Sequence, residues 1–211
     1  MVYSVKEIYY TLQGEGNHTG RPAVFCRFTG CNLWTGHEKD RANAVCRFCD
    51  TDFVGTNGVS GGKFSNPETL AKKVYEKWPL TNKGKPYLVC TGGEPLLQLD
   101  EALIREFKDY GFAIAVETNG SLPAPKGLDW VCVSPKANFP LKIKSGDELK
   151  LIYPQEGVNP QFFEHLDFSH FYLQPMDNSD LVKNTKKTIN YCLKNPIWRL
   201  SIQTHKIVNI D

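Results

Sequence analysis

The stretch Cys31-Asn-Leu-Trp-Thr-Gly-His-Glu-Lys-Asp-Arg-Ala-Asn-Ala-Val-Cys46-Arg-Phe-Cys49-Asp-Thr51 holds three cysteines, two at metal-ligand spacing and a third set apart upstream by a fourteen-residue spacer. A structural zinc site is closed by four ligands. His37 could be the fourth, which gives a Cys3His reading. An iron–sulfur cube normally takes four thiolates. A cube held by three keeps one iron open, and an open coordination position marks a site that receives a substrate or cofactor. From these residues alone both readings stand.

At 211 residues, 41% hydrophobic and 23% charged, the chain reads as one domain, residues 1–211, with enough apolar residues for a proper core. A formal net charge of +2 offers no electrostatic case for a nucleic-acid or membrane partner. MVYSVKEIYYTLQGEG lacks the apolar run of a signal peptide, and no later run approaches membrane-spanning length, so a cytoplasmic location is expected. Seven cysteines are an odd number in a chain too core-rich to need disulfides. Cys26, Cys90, Cys132 and Cys192 lie among apolar residues and read as small buried hydrophobes. The clustered three are left for metal or catalysis.

Short apolar runs at 23–28, 87–90, 112–116, 130–133, 149–152, 171–174 and 197–203 read as strands. Between them, 67–78 places Leu70, Val74 and Trp78 on one helical face, with Ser65 or Asn66 as cap. The stretch 100–111 places Leu103, Ile104 and Phe107 together and ends at Gly111. The stretch 178–193 aligns Val182, Ile189, Cys192 and Leu193 over a lysine-rich face, and Gly-rich 56–67 reads as a loop. Alternating strands and helices predict an α/β fold with a largely parallel sheet. FTGC, TGGEP, ETNG, SPK and QPMD each follow a predicted strand directly. Ligands bind at the carboxyl ends of such strands, so these five segments predict one assembled site.

The three cysteines, Phe48 directly before the last of them, and Thr91-Gly92-Gly93-Glu94-Pro95 resemble the radical S-adenosylmethionine (SAM) superfamily, whose usual pattern is C-x3-C-x2-C followed by a GGEP element. The fourteen-residue spacer departs from that pattern; loop closure costs little for length, so three-thiolate ligation remains feasible, and TGHEKDRANAV reads as a short helix that lifts Cys31 away from Cys46. The long spacer, together with YYTLQGEG (9–16), RFTGCNL (27–33), Cys49-Asp50-Thr51, ETNG (117–120), SPK (134–136), QPMD (174–177) and QTHK (203–206), is similar to one branch of the 7-carboxy-7-deazaguanine synthase family, over residues 3 to 206.

That resemblance implies a partial, open (β/α)6-type barrel, shortened and modified. It implies a 4Fe-4S cluster on Cys31, Cys46 and Cys49, with SAM on the open iron. SAM contacts would come from Phe48, Asp50, Gly92, Gly93, Ser134, Pro135, Lys136, Gln174, Pro175, Met176 and Asp177, the glycines letting backbone approach the SAM amino group. The implied substrate is 6-carboxy-5,6,7,8-tetrahydropterin, contacted by Leu12, Gln13, Gly14, Glu15, Arg27, Thr91 and Glu117. Arg27 offers a planar fork for the substrate carboxylate. Thr51 would hold Mg²⁺ together with substrate oxygens, a sparse protein shell that suits this ion. The terminal carboxylate, here of Asp211, would reach the substrate, although the tail ends in NID where close relatives end in proline. A homodimer and a reducing electron donor such as flavodoxin or ferredoxin are expected on the same ground. A glycyl-radical activase and a zinc-stabilised binding module are the alternatives; the QGEG and CDT stretches count against the activase.

Overall fold

The computed structural model describes residues 2–79 and 83–210. Nine strands form one continuous sheet in the order β3-β1-β2-β4-β5-β6-β7-β8-β9. Two antiparallel strands open it: β1 (Tyr3–Leu12) pairs with β2 (Pro22–Phe28) and, on its other side, with β3 (Gly62–Phe64). From β2 onward every pairing is parallel, through β4 (Tyr87–Gly92), β5 (Ala113–Thr118), β6 (Trp130–Val133), β7 (Ser145–Tyr153), β8 (Asp167–Pro175) and β9 (Trp198–Leu200). The sheet does not close on itself, and this is the partial, open barrel that was expected.

Helices α1 (Pro67–Tyr75), α2 (Glu101–Asp109) and α3 (Leu181–Lys194) cover one face; the short α4 (Thr204–Val208) follows β9. No α-helix joins β5 to β6, β6 to β7, or β7 to β8, which is the sense in which the barrel is shortened. Asn66, not Ser65, caps α1, its side chain accepting from Thr69 N. Leu70, Val74, Trp78, Leu103, Ile104 and Phe107 are buried as the helical periodicity predicted. They pack on Ile8, Val24, Cys26, Leu88, Cys90 and Ile114 of the sheet. A second apolar cluster, Val133, Leu149, Leu151, Phe171, Leu173 and Trp198, fills the other half.

Because side chains alternate along a strand, the opposite face carries the other residues. At the amino ends it holds a compact apolar floor of Ala23, Phe25, Tyr87, Val89, Ala113 and Ala115. One or two pleats further along, the same face turns polar. Arg27 on β2 lies in register with Thr91 on β4, Glu117 on β5 with Cys132 on β6, and Lys150 on β7 with Tyr172 on β8. The register thus converts scattered polar residues into one wall.

Four expectations need correction. β1 was not anticipated as a strand: a bulge between Val5 and Glu7 breaks the alternation, so its buried residues run Tyr3, Val5, Lys6 and Ile8. The Gly-rich stretch contributes β3. Only 198–200 of the predicted 197–203 strand forms β9; Ser201 N still donates to Leu173 O, and the Ser201 hydroxyl bonds Gln174 and Gly16 N. On α3 the apolar face is not the buried one. Val182 and Leu193 are 73% and 79% exposed, while Asn184 and Thr188 face inward. Polar contacts share in the docking: Asn184 Nδ2 donates to Met176 O and Asn178 Oδ1, and Thr188 Oγ1 donates to Tyr153 O, while Tyr191 and Cys192 pack on the second apolar cluster.

Candidate active site

Glu94 organises the carboxyl ends. Its fully buried carboxylate accepts from Leu96 N, Thr118 Oγ1 and Asn119 N, tying the end of β4 to the end of β5. Burial raises its pKa against these donors. The two preceding glycines press on the end of β2. A Cβ on Gly92 would stand 2.2 Å from Phe28 O, and one on Gly93 2.1 Å from Gly30 O. Gly93 N and Glu94 N donate to those same two carbonyls. The close approach these glycines permit is therefore to the chain's own backbone, directly before Cys31.

The insert between Cys31 and Cys46 does not separate them. Its short 3₁₀ helix spans Glu38–Asn43, and its ends are brought back together as Val45 N and Cys46 N donate to Leu33 O. Arg41 holds the turn, pairing with Glu38, donating to Arg47 O and Cys49 O, and lying 4.0 Å from the Trp34 ring centroid. Physically, a spacer of any length that closes on one backbone carbonyl costs the site little.

A cavity of about 400 Å³ opens above the polar wall. It brings together Cys31, Cys46 and Cys49 with Phe48, Asp50 and Thr51 from one side. Leu12, Gln13, Gly14, Glu15, Arg27, Thr91 and Glu117 come from the strands and the turn after β1; Gly92, Gln174 and Pro175 come from the last residues of β4 and β8, and Gly93, Ser134, Lys136, Met176 and Asp177 from the loops that follow β4, β6 and β8. Pro135 is buried beneath the lining and does not reach it. Asp211 lies outside the described residues.

The interaction between the neighbouring thiols raises Cys46 and lowers Cys49 to about 6, while burial raises Cys31. A metal centre binds thiolates. Three soft sulfur donors on one cavity fit an iron–sulfur cluster. Among the described residues, no three His, Cys, Asp or Glu side chains gather around a single ion. Ligands to a cube sit on separate irons and need no such common point. Cys26 and Cys90 are fully buried in the apolar core, as expected, whereas Cys192 is half-buried and Cys132 also borders the cavity.

Several lining residues escaped the sequence reading. Lys150 sat hidden in the apolar run LKLI; a lysine in the middle of a buried strand was the available signal. Glu7 and Tyr9 hold Arg27 by hydrogen bonds from its Nε and Nη2, both 2.8 Å, so its fork is half committed within the protein. Lys206 clasps Asp50 at 2.7 Å and Asp177 at 2.6 Å, and Gln203 Nε2 donates to Asp50 and Glu15. His205, over Gly14, completes the rim.

Glu15 illustrates the electrostatics. Burial pushes its pKa up, but Lys150 and hydrogen bonds from Lys150 and Gln203 outweigh that and bring it below the ordinary value. An acid that holds its proton less tightly folded than unfolded adds stability above the unfolded pKa, about 4.3. That contribution is lost as pH falls through the lower folded value. Glu15→Gln is therefore expected to cost about 2 kcal/mol at pH 7 and progressively less below pH 4, read from urea midpoints at each pH.

An open, mostly parallel sheet whose carboxyl ends gather three cysteine thiols and a Gly-Gly-Glu turn defines a radical SAM enzyme, with the iron–sulfur and SAM chemistry that class carries. No protein-family model matches the chain. It is 58% identical over 213 residues to the 7-carboxy-7-deazaguanine synthase of Caulobacter vibrioides, and 55% identical over 210 residues to that of Burkholderia multivorans, with all of each chain covered. The crystal structure of QueE from Escherichia coli superposes with a TM-score of 0.70 at 27% identity, covering 97% of this chain and 95% of that one. The chain belongs to the 7-carboxy-7-deazaguanine synthase family. That membership sets aside the activase and zinc-module alternatives.

Proposed function

We propose that the protein converts 6-carboxy-5,6,7,8-tetrahydropterin to 7-carboxy-7-deazaguanine with loss of ammonia, on the way to a 7-deazapurine such as queuosine. The observation that supports this most is that three thiols, the SAM-type segments and a hydrogen-bonding wall of Gln13, Glu15, Arg27, Thr91 and Glu117 share one cavity. When bound, a 4Fe-4S cluster and SAM would supply the hydrogen-atom abstraction that starts the ring contraction, with SAM serving as a cofactor.

The chain's own part is positioning, insulation and charge. Cys31, Cys46 and Cys49 would hold the cluster, leaving one iron for SAM. Phe48, Asp50 and the ends of β4, β6 and β8, from Gly92 to Asp177, would border SAM; Lys136, which donates to Ser134 O and Oγ and lies 5.8 Å from the Phe48 ring centroid, brings a positive charge to that border. Gln13, Glu15 and Glu117 would accept from or donate to the ring edge, with Arg27 turned toward the substrate carboxylate. Thr51 would place its hydroxyl on Mg²⁺ shared with substrate oxygens, most of the shell coming from substrate and water. A homodimer and an electron donor of flavodoxin or ferredoxin type complete the reading, as does a cytoplasmic location. Among the described residues no helix is long and apolar enough to cross a membrane.

The test is an anaerobic assay of iron–sulfur-reconstituted protein with SAM, reductant, Mg²⁺ and the pterin, analysed by mass spectrometry. Formation of 7-carboxy-7-deazaguanine is expected. Accumulation of 5′-deoxyadenosine alone would mean that the radical chemistry stands and the substrate is wrong.

A further inference from the structure

Lys150 is the unusual residue of the cavity. Its side chain is only 5% exposed, yet its Nζ lies 2.6 Å from Glu15 Oε2 and 3.7 Å from Glu117 Oε1. Each carboxylate is also held by an amide: Gln203 Nε2 donates to Glu15 Oε1 at 3.0 Å, and Gln13 Nε2 donates to Glu117 Oε1 at 2.8 Å. We infer that Lys150 is a positioning residue that keeps Glu15 and Glu117 together as charged, aimed acceptors for the N–H edge of a flat heterocyclic substrate. The inference rests on the pterin reading above and names a residue through which that site is set.

The warrant is electrostatic. Glu117 arrives from β5, Glu15 from the turn after β1, and Glu148 from two residues earlier on β7, so three acids meet one lysine. Cys132 of β6 also faces it; Tyr9 and Tyr87 face Glu117, Arg27 lines the same cavity, and His205 of α4 lies over Gly14. Carboxylates crowded in a dry cavity share a proton unless a cation intervenes. Glu148 sits 3% exposed and accepts from Asn17 N at 3.1 Å, and burial raises its pKa. Glu15 shifts the other way, with Lys150 as the first cause that lowers it. One lysine therefore divides the three acids into acceptors and a buried partner. Stability alone is a poor reason for the arrangement, since a buried ion pair is commonly no more stabilising than apolar residues of the same volume.

The experiment compares Lys150→Met and Lys150→Arg with wild type as full-length, reconstituted protein, measuring KM and kcat for the pterin between pH 6 and pH 8.5 together with the visible spectrum of the cluster. For Lys150→Met, KM is expected to rise about tenfold at pH 7, the loss of one charge-assisted interaction. It should fall back toward wild type at pH 8.5 as Glu15, buried and deprived of its cation, ionises unaided, with KM for SAM and the spectrum unchanged. Lys150→Arg should stay close to wild type with a flat profile. Lys150→Gln, which keeps a donor without charge, should follow the Met variant and stands in for it if that variant is insoluble. A pterin KM equal to wild type in the uncharged variants, or one raised equally at every pH with loss of the cluster, would overturn the inference and leave the function intact. A wild type that makes no product would overturn the pterin reading and this inference together.

Discussion

Replacing Cys46 with alanine is expected to abolish stoichiometric iron and sulfide binding and to lower turnover by roughly 10⁴-fold or more, the scale on which a catalytic unit fails when one member is removed. The argument is one of shared function. Cys31, Cys46 and Cys49 border one cavity. Ligands that act as a set lose nearly everything at the first substitution, so Cys46→Ala/Cys49→Ala should be no worse than either single change. Cys26→Ala is the control. Cys26 is fully buried opposite Cys90 in the parallel ladder, away from the cavity lining. Its loss should cost about 1 kcal/mol of stability and leave iron and turnover in place. Iron and sulfide analysis beside the mass-spectrometric assay checks both; a Cys46 variant with full iron and full turnover would remove the cluster from these residues.

Gly16→Ala should produce a large loss of stability. Gly16 has φ +65°, a conformation that costs an L-residue about 1–2 kcal/mol. An added Cβ would also stand 2.0 Å from Oε1 of buried Glu148, where overpacking costs a further 1–3 kcal/mol or so. Together these make about 2–5 kcal/mol, a large share of a typical domain's stability. Gly20 separates the two causes: its φ is +86°, but no atom lies within 4 Å of its Cβ position. Gly20→Ala should therefore show the backbone cost alone, about 1–2 kcal/mol. Guanidinium midpoints at constant slope measure the difference. Equal losses at the two positions would show that Glu148 moves aside freely. A displaced Glu148 would also disturb Lys150, so the Gly16 variant should bind the pterin more weakly than its residual stability suggests.

These predictions show where the sequence was legible. Leu70, Val74, Leu103, Ile104 and Phe107 obey a helical period because α1 and α2 bury one stripe on a sheet, and a stripe repeats. α3 misled for the converse reason. Its docking relies in part on Asn184 and Thr188, whose hydrogen bonds to Met176 O and Tyr153 O leave no apolar period to read, while Val182 and Leu193 stay outside. β1 hid behind a bulge, which shifts the alternation by one residue. In the site, residues in distinctive local strings were legible: the three cysteines, Gly92-Gly93-Glu94 and Asp50-Thr51. Glu7, Tyr9 and Lys150 were not, since each is a polar residue in an otherwise ordinary strand.

By itself the sequence determined the thiol set, strands β2 and β4 to β9, and the segments that follow them, because ligand chemistry and strand-and-turn composition are local properties of the chain. Only the tertiary structure decided which polar side chains share a wall. Arg27 meets Thr91, Glu117 meets Cys132, and Lys150 reaches Glu15 across 135 positions of sequence because parallel register sets neighbours between strands. That register is an outcome of the whole sheet, its bulge included, and no short stretch of residues carries it.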